Sequence, residues 1–173
     1  MTLEKTPQAA GLLAGTKDAF ASTCDAVLKR AREAVAELKA LAPGNDARVI
    51  ELYDEVTTIT GNMAARASLA KEVHPDEAFR EASETAEQQL SAFDVELSLD
   101  RGLYDALSRV DSKSLDPAGA FWLFKTLREF RRSGVDRDEA TRDKVRALNE
   151  ELVKIGHGFG GDIGDDVRKV EVT

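Results

Sequence analysis

The sequence predicts an all-α fold, an antiparallel bundle or array of about six helices. Three observations carry this expectation. Apolar residues recur in alternating steps of three and four, and alternation of period two is never sustained. Only 4 prolines occur in 173 residues, too few to interrupt long helices often. Hydrophobic residues make up 42% and charged residues 32%, a balance that supplies a core and argues against disorder. No composition shift, internal repeat or low-complexity tract divides the chain, so residues 1–173 are expected to form one domain. A domain of this size buries about 70% of its unfolded surface and needs no staple.

Each helix has its own signals. The first is expected from about Lys17 to Leu41, with Phe20, Cys24, Val27, Ala31, Ala34, Leu38 and Leu41 forming a narrow stripe. Residues 1–16 are expected to be a flexible lead-in. Pro43-Gly44-Asn45 ends the first helix, and Asn45 or Asp46 caps the next, in which Val49, Leu52, Val56, Ile59 and Met63 repeat the spacing to about Ala70. Gly61 weakens this helix by about 1 kcal/mol relative to alanine. Close helix packing is one reason to keep it.

His74-Pro75-Asp76-Glu77 is the clearest helix start, with Pro75 suited to the first helical position and two acids at the positive helix end. Phe79, Ala82, Ala86, Leu90, Phe93 and Leu97 then line one face. Asp100 caps a short helix carrying Leu103, Tyr104, Leu107 and Val110. Asp116-Pro117 opens the next, where Phe121, Trp122, Phe124 and Phe130 are expected to join the core. Ser133-Gly134 closes it. A last helix from about Arg137 carries Val145, Leu148, Leu152 and Ile155, and the glycines from 156 onward predict an irregular end over 156–173.

Composition excludes several function classes. A net charge of −8 disfavours binding to a phosphate backbone, and Arg128, Arg131 and Arg132 read as a solvated helix face. One cysteine rules out an internal disulfide framework, and Cys24 lies on an apolar stripe that suits a packed thiol better than a nucleophile. No apolar run approaches the ~20 residues that span a bilayer, and no secretory pattern precedes Lys17. A cytoplasmic protein without nucleic-acid or membrane partners is the expectation.

Candidate chemistry is sparse. The two histidines, His74 and His157, are far apart, and neither begins a His-Glu-x-x-His zinc motif. His74 precedes a proline at a helix start, where a capping role fits. His157 has Asp162, Asp165 and Asp166 nearby, a weak carboxylate–imidazole arrangement at best. Gly156-His157-Gly158-Phe159-Gly160-Gly161 formally matches a dinucleotide-binding fingerprint, but it follows a helix instead of a strand and leads into aspartates that repel phosphate. From the residues, no catalytic, cofactor-binding or metal-ligating side chain is assigned.

The wording of several segments adds a resemblance. LYDEVTTITGNMAARASLAKEVHPDEAFREASETAEQQLSAFDVELSLDRGLYDAL, FKTLREFRRSGVD and KVRALNEELVKIG, followed by DIGDDVRKVEV, resemble in order the N-terminal helical region of M3-family zinc oligopeptidases, the group of thimet oligopeptidase, oligopeptidase A and dipeptidyl carboxypeptidase. The resemblance runs from about Leu52 to Val172. It implies a helical layer that helps wall a channel for short peptides, while the zinc ligands and catalytic residues of the family lie mostly in a later portion. No such position exists here, so the resemblance implies a chain that is inactive by itself, with zinc only where a catalytic domain follows, and with that domain and short peptides as partners. The family reads approximately L-G-Q-E-F-S-R-N-I where this chain has Ile155 to Ile163, and the extra glycines put a continuous final helix in doubt. A stand-alone helical module that binds a peptide or partner helix along the stripes of residues 20–41 and 49–63 is the alternative.

Overall fold

A computed structural model describes residues 15–165, with the backbone alone described at residues 157 and 161–165. Six α-helices follow one another: α1 (Lys17–Ala40), α2 (Asp46–Val73), α3 (Glu77–Ser98), α4 (Arg101–Ser108), α5 (Pro117–Arg132) and α6 (Glu139–Asp165), with a 3-10 turn at Ser112–Ser114 before α5. No strand occurs among the described residues, and the all-α expectation holds.

Side-chain caps set most of the helix starts. Thr16 accepts a hydrogen bond from the Ala19 amide, and Asp100, Asp116 and Asp138 accept from the amides of Leu103, Gly119 and Thr141. Each carboxylate satisfies an amide that the helix cannot pair and sits at its positive end. Two expectations shift by a residue or so. Asp76, not Pro75, introduces α3: its carboxylate accepts from the Ala78 amide, and Pro75 stays outside the helix. Asn45 holds the N-cap position of α2 without a capping bond, and the Asp46 carboxylate instead accepts from the Asp111 amide.

The core is a three-helix layer in which α1, α2 and α3 all pack against one another. α1 and α2 form an antiparallel hairpin, whose register shows in the Arg30–Glu55 pair at 2.6 Å and the Arg48–Glu37 pair at 2.7 Å. α3 runs parallel to α1, as the contacts Phe20–Phe79, Cys24–Gln89 and Arg32–Glu96 show. Small residues make this close approach feasible. Ala31, Ala34, Ala67 and Ala70 are all fully buried, and the larger side chains Phe20, Leu38, Leu52, Val56 and Phe79 fill the spaces between them. Ser83 is the buried polar side chain of this layer, and it donates to the Phe79 carbonyl at 2.8 Å.

The remaining helices cap and flank the layer. α4 buries Leu103, Ala106 and Leu107 against the ends of α1 and α2, and the Lys39 ammonium reaches the Asp100 carboxylate at 2.7 Å. α5 packs on α4, with Phe130 between the rings of Tyr53 and Tyr104. Its end is a Schellman turn: Gly134 has φ +91°, its amide bonds the Arg131 carbonyl, and the Val135 amide bonds the Phe130 carbonyl. Val135 plugs the turn and is fully buried.

Two expectations about packing fail. Phe121 and Phe124 are more than half exposed, whereas Trp122 and Phe130 turn inward. A helix rotates about 100° per residue, so Leu123, Leu127 and Phe130 take the inner face and leave Phe121 and Phe124 outside. The helix expected to break at Gly156 continues to Asp165. Extending an existing helix costs each glycine only its propensity penalty, about 1 kcal/mol, and avoids a new nucleation. Residues 1–14 and 166–173, where the flexible lead-in and the rest of the irregular end were expected, lie outside the described residues.

Gly61 also lacks the role expected of it. A Cβ there would meet no atom within 4 Å, so close packing does not explain the glycine. Gly61→Ala is expected to raise stability by about 1 kcal/mol, seen as a higher urea midpoint with an unchanged slope. Leu52→Ala, which empties a fully buried position, is expected to lower stability by about 2–5 kcal/mol in the same measurement.

Candidate functional site

Two clefts lie around α3, where α6 lies against it. One cleft of about 570 Å3 is bounded by α2 (Thr60, Gly61, Ala64) and α3 (Leu90, Asp94), with Val153 of α6 at its edge. A second, of about 550 Å3, lies between α3 (Gln88, Ala92, Val95) and α6 (Glu150, Val153, Gly158). Val95 and Val153 line both, so the two clefts share a wall. Apolar surface makes up most of each lining, and Glu84 and Lys154 also line the second cleft. Gly61 and Gly158 each leave space where a Cβ would meet nothing within 4 Å, which keeps both clefts wide.

α6 contributes more than a wall. Its partly buried side, at Val145, Asn149 and Val153, faces the bundle. Leu148, Leu152, Ile155 and Phe159 follow in steps of four, three and four along an adjacent stripe, and each is about 60% exposed. Most residues of the stripes over 20–41 and 49–63 are in contrast used by the core.

A smaller cavity of about 220 Å3 lies beside α5 and is lined by Tyr53, Asp94, Ser98, Thr126 and Glu129, among others. Burial, with the nearby Asp94 carboxylate adding to it, pushes the Tyr53 phenol up to about 12. Partial burial likewise raises the Asp94 carboxyl above its ordinary value. Glu129 is held below the usual carboxylate range, first by its hydrogen bond from Arg128 and then by Arg132. At neutral pH Tyr53 is therefore a hydrogen-bond donor and not a base.

The residues singled out by sequence do not converge. The Cys24 thiol is 1% exposed and faces the Gln89 side-chain oxygen at 3.7 Å. Burial, and then the Asp25 charge, raises its pKa, the opposite of what a thiolate nucleophile needs. His74 works as a structural pin: its backbone amide caps α2 on the Ala70 carbonyl, its Nδ1 accepts from the Asp76 amide at 3.1 Å, and its ring stacks on Phe79 at 3.9 Å. The side chains of His157, Asp162, Asp165 and Asp166 lie outside the described residues. Among the described residues, no three His, Cys, Asp or Glu side chains gather as metal ligands. No described helix is long and apolar enough to cross a membrane.

Sequence reasoning missed Val95, Val153 and Gly158 as cleft residues. Val153 lies outside the 145/148/152/155 stripe, and only its offset from that stripe hinted that α6 has a second face.

Comparison with known proteins points in one direction. No protein-family profile matches the chain. Part of it is similar to mitochondrial intermediate peptidases: 31% identical over 118 residues to that of Coprinopsis scobicola, covering 65% of this chain and 15% of that protein. The peptidase of Mus musculus is 27% identical over 153 residues, 83% of this chain and 21% of its own length. That of Cryptococcus neoformans is 26% identical over 151 residues, 82% and 20% respectively. The chain spans about a fifth or less of the curated relatives it matches. These peptidases are M3-family zinc enzymes, and the matches support an M3-like relationship for this chain.

The packing of Cys24 has a direct chemical consequence. In the folded protein the thiol is expected to react with iodoacetamide at least about tenfold more slowly than after unfolding in urea, because the thiolate is both scarce and shielded. Equal rates, followed by mass spectrometry, would contradict the buried placement.

Proposed function

We propose that this chain is a non-catalytic helical portion of an M3-like zinc oligopeptidase, forming part of the wall of a channel for short peptides. One observation carries the reading: partial similarity to M3-family peptidases falls on a helical array whose described residues include no converging metal-ligand group. The clefts on either side of Val95 and Val153 support it, since a mostly apolar lining with a few polar groups suits a short peptide better than an ionic ligand. In this reading the chain holds no zinc itself, acts in the cytoplasm, and has a catalytic portion and short peptides as partners. That portion would supply the zinc-bound water and the glutamate that assists its attack on the amide.

A second reading is a helical interaction module. The exposed stripe of Leu148, Leu152, Ile155 and Phe159 favours it, since an unpaired apolar helix face is what a partner helix covers. A stable oligomer or a co-purifying partner in size-exclusion chromatography with light scattering supports this reading, and a monodisperse monomer weakens it.

The channel-wall reading is tested by titrating the isotopically labelled chain with unlabelled short peptides. Amide shifts are expected around Ala92, Val95 and Val153, and Gly158→Leu is expected to suppress them by filling the second cleft without loss of helical signal. Shifts confined to other surfaces would overturn the placement. Zinc-dependent, chelator-sensitive cleavage of a quenched fluorescent peptide by the purified chain would overturn its non-catalytic role.

A further inference from the structure

The outer face of α5 has no part in the clefts or in the core. At helical spacing it carries Phe121, Phe124, Lys125, Arg128, Arg131 and Arg132. Phe121 is 62% exposed and Phe124 54% exposed, so two phenyl rings lie open within one turn of each other. Each ring carries a cation: the Lys125 ammonium lies 5.9 Å from the Phe121 centroid, and the Arg128 guanidinium 6.0 Å from that of Phe124. Each cation sits over one face of its ring, and both phenylalanines still remain more than half exposed.

The charge of this face is opposite to that of the molecule. Four cations stand on it, while the whole chain carries −8. Glu129 is the acid on the same helix that offsets them, and it is shared between Arg128 at 3.0 Å and Arg132 at 3.2 Å. Among the described residues, Lys125 and Arg131 have no ion-paired carboxylate. The face therefore combines exposed aromatic area with a surplus of positive charge.

Charge complementarity decides among occupants. A second copy meeting this face with its own would set cation against cation, which disfavours a symmetric dimer. An anionic membrane would attract the four cations but repel a body of net charge −8, and two rings supply little area for insertion. An acidic amphipathic segment meets both demands, with apolar side chains over the rings and carboxylates beside Lys125 and Arg131. We propose that the Phe121–Arg132 face of α5 docks an acidic, amphipathic segment of a partner protein. This docking is independent of the peptidase relationship.

The test uses the 173-residue chain and a fluorescently labelled helical peptide that alternates leucine and glutamate at three- and four-residue spacing, with a lysine-for-glutamate version as control. Fluorescence anisotropy is expected to show binding of the glutamate peptide alone, weakened as salt rises. Phe121→Ser/Phe124→Ser and Lys125→Glu/Arg131→Glu are each expected to weaken it by about tenfold or more, since few central anchors carry most of an interface's energy. All four side chains are exposed, so helical signal and melting temperature report whether the variants stay folded. Absence of binding, equal binding of both peptides, or binding unaffected by either variant overturns the proposal. So does association with phosphatidylglycerol vesicles in place of the peptide, or concentration-dependent self-association that the variants abolish.

Discussion

The mutual packing of α1, α2 and α3 around fully buried small and aromatic side chains is the constraint on which the rest of the structure depends. Ala31 and Ala34 on α1, and Ala67 and Ala70 on α2, have no accessible surface. A larger side chain at any of them has no free volume to enter, because interiors are packed to crystal-like density. With the backbones drawn together, Phe20 meets Phe79 at 4.9 Å between ring centroids, and Arg66 covers the Phe20 ring from α2. His74 then stacks on the other partner, Phe79, and so fixes the turn between α2 and α3. One compact knot of rings thus aligns three helices at the end where α1 begins.

Charge is arranged around this layer, not inside it. The pairs Arg30–Glu55, Arg48–Glu37, Lys71–Glu87 and Lys39–Asp100 each join two different helices, and all remain in contact with solvent. Exposed pairs of that kind contribute little to stability. Their value lies in register. A one-turn slip of α2 along α1 would break both pairs between those helices together.

The outer helices divide the apolar residues differently from the inner ones. On α5, two helical stripes compete for the core. The stripe through Leu123, Leu127 and Phe130 continues in apolar residues and is buried or partly buried. The stripe through Phe121 and Phe124 continues into Lys125, Arg128, Arg131 and Arg132, and burying it would desolvate four cations. Its fate was legible in those following residues, although an aromatic cluster taken by itself points to the core. On α6 no such signal exists. Val145, Leu148, Leu152 and Ile155 repeat as regularly as the stripe of α2, yet most of that stripe stays open.

By itself the sequence determined the helices and most of their limits, the end of α6 excepted. Period-3.6 patterning, aspartates before helix starts, and Pro43-Gly44 and Gly134 at helix ends are local signals, each acting within a turn or two of its own position. Inner faces of α1 to α3 were legible for the same reason, since three mutually packed helices leave an apolar stripe nowhere else to go. Only the tertiary structure decided what the outer faces do. Whether Gly61 and Gly158 mark tight packing or open clefts, and whether the α6 stripe is covered, depends on neighbours distant in sequence. Amphipathicity specifies that a face is apolar; the presence of something to cover it is a property of the whole molecule.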